Sequence, residues 1–273
     1  MAKAAKVAGE SQLRELIPDI AAAFERLFED PVQRDPQCWG KNAAAKALTE
    51  LDYRDSDLFL RGARHVQMEP VWGGQEDTAS ALRGICLLGL ASARDIRRET
   101  VLRCLVNGVA DSKANVRVEA VRAIAQMAGD EGSLLLRFKA KVGDSELPVV
   151  GQVFDCLLAL ERDEAVPFVA EFLESAKESI PEEAALALGA SRLPAALEIL
   201  EKVWDKTKDP DLRLAVLRGL SASREERAIG FLLGVLKDGR ARDRDAAIEA
   251  LSIHKGTPEI CAMVERVAGK KVF

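Results

Sequence analysis

Seven segments of the chain repeat one pattern of hydrophobic positions, at i, i+3 and i+4. This spacing places three side chains on one face of an α-helix. The first position holds Ala44, Ala81, Ala120, Val153, Ala184, Val216 and Ala247, and the second holds Ala47, Gly84, Ala123, Cys156, Ala187, Gly219 and Ala250. The third position holds Leu48, Ile85, Ile124, Leu157, Leu188, Leu220 and Leu251. Because the second position is always small, we expect a neighbouring helix to approach closely there.

Further amphipathic segments, each about three turns long, lie between these helices. Examples are residues 164–175, 194–206 and 227–238. The pattern recurs every 31 to 39 residues, which is the length of a two-helix repeat. The sequence therefore predicts an all-α fold, an α-solenoid or superhelix of about seven two-helix repeats.

The repeats resemble those of HEAT-repeat proteins, in particular the short HEAT-like units of the phycobilisome-lyase (PBS-lyase) type. The resemblance rests on the phrases DSKANVRVEAVRAIAQMAGDE, DEAVPFVAEFL and DPDLRLAVLRGL. It implies an α-solenoid whose inner helices line a concave surface. Proteins with such repeats mostly bind other proteins, and a few act on bilin chromophores or on alkylated DNA bases.

The resemblance also suggests how the chain is divided. We expect residues 1–9 to form a disordered N-terminal tail and residues 10–273 to form a single HEAT-like repeat domain. Within that domain, residues 10–92 should hold two irregular repeats and residues 93–273 the regular ones.

Composition and motifs narrow the classes of function that this chain could have. The net charge is −5, which disfavours nucleic acid as the partner because phosphate binding requires a basic excess. No apolar run is long enough for a signal peptide or a membrane span, so we expect a cytoplasmic protein that does not act at a membrane. The five cysteines are widely spaced and indicate neither disulfides nor a zinc site. The sequence contains no catalytic or cofactor-binding motif, so we predict no catalytic residue, metal or cofactor.

A fourth position of the pattern, two residues after the first position, should point outward from the inner helices and is mostly charged. The residues at this position are Lys46, Arg83, Arg122, Asp155, Leu186, Arg218 and Glu249. With Lys41, the first three predict a positive patch in the N-terminal half that could receive an acidic protein segment or phosphate groups. A plain solvated helix face is the alternative explanation.

A second column of basic residues lies three residues before the first position of the pattern. It contains Arg117, Arg213 and Arg244. These arginines could form a basic ladder on the groove, or they could make ion pairs and carbonyl contacts that join adjacent repeats.

Residues 65–79, HVQMEPVWGGQEDTA, interrupt the repeat. Trp72 beside two glycines is a plausible anchor for a partner, since insertions in solenoids often lie on the binding face. In the alternative interpretation Trp72 covers a repeat junction and Asp77 caps the next helix. His65 and Glu69 are too few ligands for a metal site. Glu69 and Asp77 lack the nucleophile that would accompany a catalytic acid–base pair.

The sequence therefore favours a non-catalytic scaffold that binds a protein partner on its concave inner-helix surface and on the 65–79 insertion. The predicted binding residues are Lys41, Lys46, His65, Glu69, Trp72, Asp77, Arg83, Arg122 and Arg218. A nucleic-acid-binding or DNA-base-repair solenoid is one alternative, which would use the same cations with Trp72 and Asp77. A phycobilin lyase-like subunit is the other alternative.

Overall fold

The computed structural model describes residues 1–177 and 179–273, which form helices, one β-hairpin and short 3-10 turns. The helices are α1 (Ala2–Glu10), α2 (Ile17–Arg26), α3 (Pro31–Arg34), α4 (Trp39–Glu50), α5 (Ser56–Ala63), α6 (Ser80–Ser92), α7 (Arg98–Val109), α8 (Ala114–Met127), α9 (Asp130–Val142), α10 (Leu147–Glu161), α11 (Ala165–Ala170), α12 (Ile180–Ala190), α13 (Pro194–Lys206), α14 (Pro210–Ser223), α15 (Glu226–Asp238), α16 (Ala241–Leu251) and α17 (Pro258–Ala268). The hairpin strands are β1 (Met68–Val71) and β2 (Gly74–Asp77), and the 3-10 turns are Arg14–Leu16, Pro36–Cys38, Arg162–Glu164, Glu171–Glu174 and Ser252–His254.

The chain forms two compact units, which we call unit 1 (Met1–Lys139) and unit 2 (Ala140–Phe273). In unit 1 the inner helices α4, α6 and α8 pack side by side, and the outer helices α2, α5 and α7 pack against them in turn. In unit 2 the inner helices α10, α12, α14 and α16 form a similar row, and the outer helices α11, α13 and α15 pack against α12, α14 and α16. The predicted all-α fold of successive two-helix repeats is therefore confirmed in each unit.

The repeating hydrophobic stripe is buried in six of the seven predicted copies. The copy in α6 is displaced by five residues, because Ala81 is exposed and Ile85 is only partly buried. In that helix Cys86, Gly89 and Leu90 occupy the buried stripe instead, and Arg83 precedes Cys86 by three residues, as Arg117 precedes Ala120. The gapless alignment failed here because the 65–79 insertion directly precedes the helix and shifts the spacing.

The N-terminal tail is a helix rather than the predicted disordered segment. Helix α1 packs along α4 and buries Ala5, Ala8 and Gly9. These residues repeat the i, i+3, i+4 spacing of small side chains found in the inner helices, and alanine has the highest helix propensity. The prediction of disorder over residues 1–9 is therefore wrong. The contacts divide the chain after Lys139, whereas the sequence predicts a change of repeat character after residue 92.

The closest helix contact involves two glycines of unit 2. A Cβ atom on Gly189 in α12 would overlap the carbonyl group of Gly219 in α14, and a Cβ atom on Gly219 would overlap the carbonyl of Ala185. The two backbones can approach this closely only because neither glycine has a side chain. Small residues at the second position of the pattern, Gly219 among them, therefore set the spacing between neighbouring inner helices.

We expect Gly189→Ala to destabilise unit 2 by about 1–3 kcal/mol, because α12 and α14 must separate to admit the methyl group. The matched control is Gly230→Ala on α15, where an added Cβ meets no atom within 4 Å. That change should stabilise the protein by about 0.5–1 kcal/mol through helix propensity. Urea unfolding of both variants measures the difference, and equal midpoints would contradict the assigned packing.

Candidate interaction site

Residues 65–79, predicted as an irregular insertion, contain a β-hairpin in unit 1. Strands β1 and β2 pair antiparallel in a register that joins Met68 to Asp77 and Val71 to Gly74. Trp72 and Gly73 form the two-residue turn, in which Gly73 adopts a left-handed φ of 92° that suits glycine. The Trp72 side chain is fully exposed, at 104% relative accessibility. Trp72 therefore does not cover a repeat junction.

The base of the hairpin is held by the carboxylate of Glu69, which is buried. Its Oε1 atom accepts hydrogen bonds from the backbone N–H of Gln37 (2.7 Å), from Gln67 Nε2 (2.6 Å) and from Thr78 Oγ1 (2.8 Å). Gln67 Nε2 also donates to the carbonyl oxygen of Asp35 at 2.8 Å. These bonds tie the hairpin to the turn that precedes α4.

Arg83 was predicted to point outward in a positive patch, but it is buried. Its guanidinium donates two hydrogen bonds to Asp111 (2.8 and 3.0 Å), one to Asp77 (2.7 Å) and one to the carbonyl oxygen of His65 (3.0 Å). Asp77 lies at the end of β2, and Asp111 lies in the turn before α8. Arg83 therefore fixes the hairpin to two successive inner helices, and its assignment to an exposed binding face is wrong.

Lys41 is buried as well, so the predicted positive patch loses a second member. Its Nζ atom lies 2.9 Å from Asp35 Oδ2 and donates to the carbonyl oxygen of Leu27 at 3.1 Å. Lys41 lies three residues before Ala44, which is the place that Arg117 has relative to Ala120. It therefore belongs to the column of structural basic residues, and Asp35 precedes it by six residues just as Asp111 precedes Arg117.

The structural interpretation of that column also holds for Arg117 and Arg213. Arg117 is buried and donates to the carbonyl oxygen of Asp111 at 2.9 Å. Arg213 bonds both carboxylate oxygens of Asp243 in the next repeat of unit 2, at 2.9 and 3.0 Å, and stacks on Trp204. These arginines join neighbouring elements, so they do not form a ladder of cations available to a ligand.

The ionisable groups under the hairpin are fixed in one protonation state. Burial raises the pKa of Glu69 and of Asp77, but the hydrogen bonds to each carboxylate outweigh this effect and lower both pKa values. Burial raises the pKa of the Cys38 thiol to about 12, and burial lowers the pKa of His65. At neutral pH the carboxylates are therefore ionised, and the thiol is protonated.

His65 and Glu69 do not share a helix, because α5 ends at Ala63 and Glu69 lies in β1. The Nε2 atom of His65 instead lies 3.2 Å from Gln67 Oε1. Among the described residues, no group of three or more His, Cys, Asp or Glu side chains is arranged to hold a metal ion.

Large apolar side chains are exposed around the hairpin. We call this set the hairpin patch, and its members are Trp39, Val66, Met68, Val71 and Trp72. Trp39 is the first residue of α4, and 68% of its side-chain surface is exposed. The two residues before it, Gln37 and Cys38, both have a left-handed φ of 58°. This conformation is costly for residues other than glycine. The bond from the Gln37 N–H to Glu69 helps to hold the strained turn that exposes Trp39.

An apolar groove of about 400 Å³ runs along the exposed side of α4, α6 and α8 in unit 1. Ala81, Ile85 and Leu88 of α6 line it. Lys46 and Glu50 form its α4 wall and make an i, i+4 ion pair. Trp39 lies 7 and 11 residues before Lys46 and Glu50, so each of these two side chains falls within about 20° of Trp39 on one helix face. Trp39 therefore extends the α4 wall of this groove.

The other two predicted binding residues are neutralised by neighbours. Arg122 in unit 1 pairs with Glu119 at 2.7 Å, and Glu119 lines the apolar groove. Arg218 in unit 2 pairs with both Glu182 and Glu249. Of the predicted positive patch, Lys46 and Arg122 are thus exposed, and each has a carboxylate partner.

The geometry describes an all-α repeat protein with an exposed apolar patch and a buried polar network that anchors the hairpin. Residues 166–252 match the family model of HEAT repeats. This match supports the HEAT-repeat family, whose repeats in general serve as scaffolds for protein interactions. No curated protein matches the sequence. In the part of the chain that the structure describes, no helix has the length and apolar character needed to span a membrane.

We expect Arg83→Met to destabilise unit 1 by about 3–5 kcal/mol, because it leaves Asp77 and Asp111 largely buried without a counter-charge. The matched control is Arg103→Met, which breaks the exposed i, i+4 pair with Glu99 and should cost less than about 1 kcal/mol. Urea unfolding followed by tryptophan fluorescence compares them. Similar losses in the two variants would show that Arg83 is not the anchor.

We expect the stability of unit 1 to fall as the pH drops below about 4. The pKa values of Glu69 and Asp77 are lower when folded, so their stabilisation is present above the unfolded pKa and is lost as the pH falls through the folded pKa. Urea midpoints between pH 7 and pH 3 measure this loss. Glu69→Gln keeps an acceptor oxygen but removes the charge, so its midpoint should depend less on pH; an unchanged dependence would exclude Glu69 as a contributor.

Proposed function

We propose that the chain is a non-catalytic scaffold that binds a protein partner with unit 1, through the hairpin patch and the adjoining apolar groove. The observation that carries this proposal is the full exposure of Trp72 on a hairpin whose base is fixed by buried hydrogen bonds. Tryptophan is enriched among residues that dominate binding energy. A side chain on an ordered support also loses less conformational freedom on binding.

The chemistry of this surface favours an apolar partner segment over an acidic one. Lys41 and Arg83 are buried, and Lys46 is paired with Glu50. The patch and the groove therefore present aromatic and aliphatic side chains between balanced charges. A partner helix or loop with two or three large apolar side chains would fill a groove of this size.

Trp72→Ala should abolish or strongly reduce capture of the partner while leaving stability within about 0.5 kcal/mol, because the exposed side chain contributes little to the folded state. Purified wild type and variant are compared as baits, with Ile253→Ala as the control, since Ile253 is an exposed apolar residue of unit 2. The readout is the set of proteins retained by wild type and by Ile253→Ala but lost from Trp72→Ala.

Identical captured sets from wild type and Trp72→Ala would overturn the proposed role of the hairpin patch. A large loss of stability in Trp72→Ala would also contradict it, because Trp72 would then support the fold. Trp39→Ala extends the test to the groove and should reduce capture of the same partner.

A further inference from the structure

The net negative charge of the protein comes entirely from unit 2. Residues 1–139 contain 20 basic and 20 acidic residues, whereas residues 140–273 contain 19 basic and 24 acidic ones. The whole net charge of −5 therefore belongs to the second unit. A surface of this unit that concentrates the excess would attract positively charged partners and repel nucleic acid.

A groove of unit 2 lies between α12 and α14, beside the turn that precedes α12. Its volume is about 570 Å³. Its apolar lining comes from Leu173, Pro181, Leu212, Leu214 and Ala215. The groove is therefore large enough for two or three side chains and offers them an apolar surface.

Carboxylates surround this apolar lining. Glu174, Glu182, Asp209 and Asp211 line the groove together with two cations, Lys177 and Arg218. Arg218 is already paired with Glu182 and with Glu249 of α16. Among the described residues, Glu174, Asp209 and Asp211 form no ion pair, so three carboxylates face one remaining cation, Lys177.

Arg218 shows how a cation is held on this face. Arg218 belongs to α14. Its guanidinium lies between a carboxylate of α12 and a carboxylate of α16, which are the inner helices of the preceding and following repeats. Carboxylates of neighbouring inner helices therefore share one cation on this face.

The adjoining groove, between α14 and α16, has a different character. It holds about 390 Å³ and is lined by Lys208, Arg240 and Arg242 as well as by Asp211, Asp243 and Asp245. Basic and acidic groups are mixed there. The α12–α14 groove, in contrast, is lined by four carboxylates and two cations.

We propose that the α12–α14 groove binds a short basic segment of another protein, in which lysine or arginine residues flank apolar ones. The apolar residues would contact Leu173, Leu212 and Leu214, and the cations would pair with Glu174 and Asp211. This site belongs to unit 2 and goes beyond the proposed role of the hairpin patch in unit 1.

Fluorescence anisotropy tests the proposal with a labelled peptide of about ten residues, which spans ~30 Å when extended. The first probe has lysines flanking two leucines. A second probe replaces the leucines with serine, and a third replaces the lysines with glutamate. We expect the first probe to bind the full-length protein at low salt, the second to bind more weakly and the third not to bind.

The double variant Glu174→Gln/Asp211→Asn should weaken the first probe about tenfold, the effect of removing two exposed charge pairs. The control Glu259→Gln/Asp205→Asn removes the same charge, including one carboxylate from the first turn of α17, and should change affinity less than about twofold. Circular dichroism and urea unfolding check that both variants remain folded.

Equal weakening by the two double variants would overturn the proposal, because it would show attraction to the net charge alone. Equal binding of the leucine and serine probes would also overturn it, since the apolar lining would have no role. Absence of binding to the wild type would do the same. Trp72→Ala should leave the affinity for the probe unchanged, so failure here is distinguishable from failure of the hairpin patch.

Discussion

The close approach of neighbouring inner helices is the constraint on which the rest of the structure depends. It requires a small residue at one position of every inner helix, and at Gly189 and Gly219 the backbones of α12 and α14 touch. Packing at this density leaves little tolerance for added volume. Each repeat is therefore held in position by its neighbour. Surface features such as the hairpin are in turn held in position by the repeats that carry them.

The column of buried basic residues explains how the candidate site is held. Arg83 of α6 has the place that Lys41 has in α4 and Arg117 has in α8, six residues after an aspartate, and its guanidinium is buried. A buried guanidinium is tolerated only with full compensation, and Asp77, Asp111 and the carbonyl oxygen of His65 supply it. The same bonds bring the end of β2 onto the inner helices, so the compensation of one buried charge also fixes the insertion.

The sequence predicted the fold well because the small and bulky positions recur with helical spacing, and six of the seven copies lie on the buried stripe. The error in α6 arose because a hairpin of ten residues between Gln67 and Thr78 shifts the spacing of the repeat, and a gapless comparison cannot register this shift. That shift placed Arg83 on the wrong face. The spacing from Asp77 to Arg83 and from Asp35 to Lys41 repeats that from Asp111 to Arg117, a signal present in the sequence but not used. The exposure of Trp72 on a turn and of Lys46 and Arg122 on inner helices was predicted correctly.

A polar anchor suits a small insertion better than an apolar one. Strands of four residues cannot enclose a hydrophobic core, and large apolar side chains at their base would compete with the close packing of α4 and α6. The hydrogen bonds that Glu69 accepts and that Gln67 and Arg83 donate are directional and use little volume, so they fix the orientation of the hairpin without adding bulk. The apolar residues of the hairpin are thereby left at the surface, where they remain available for contact with another molecule.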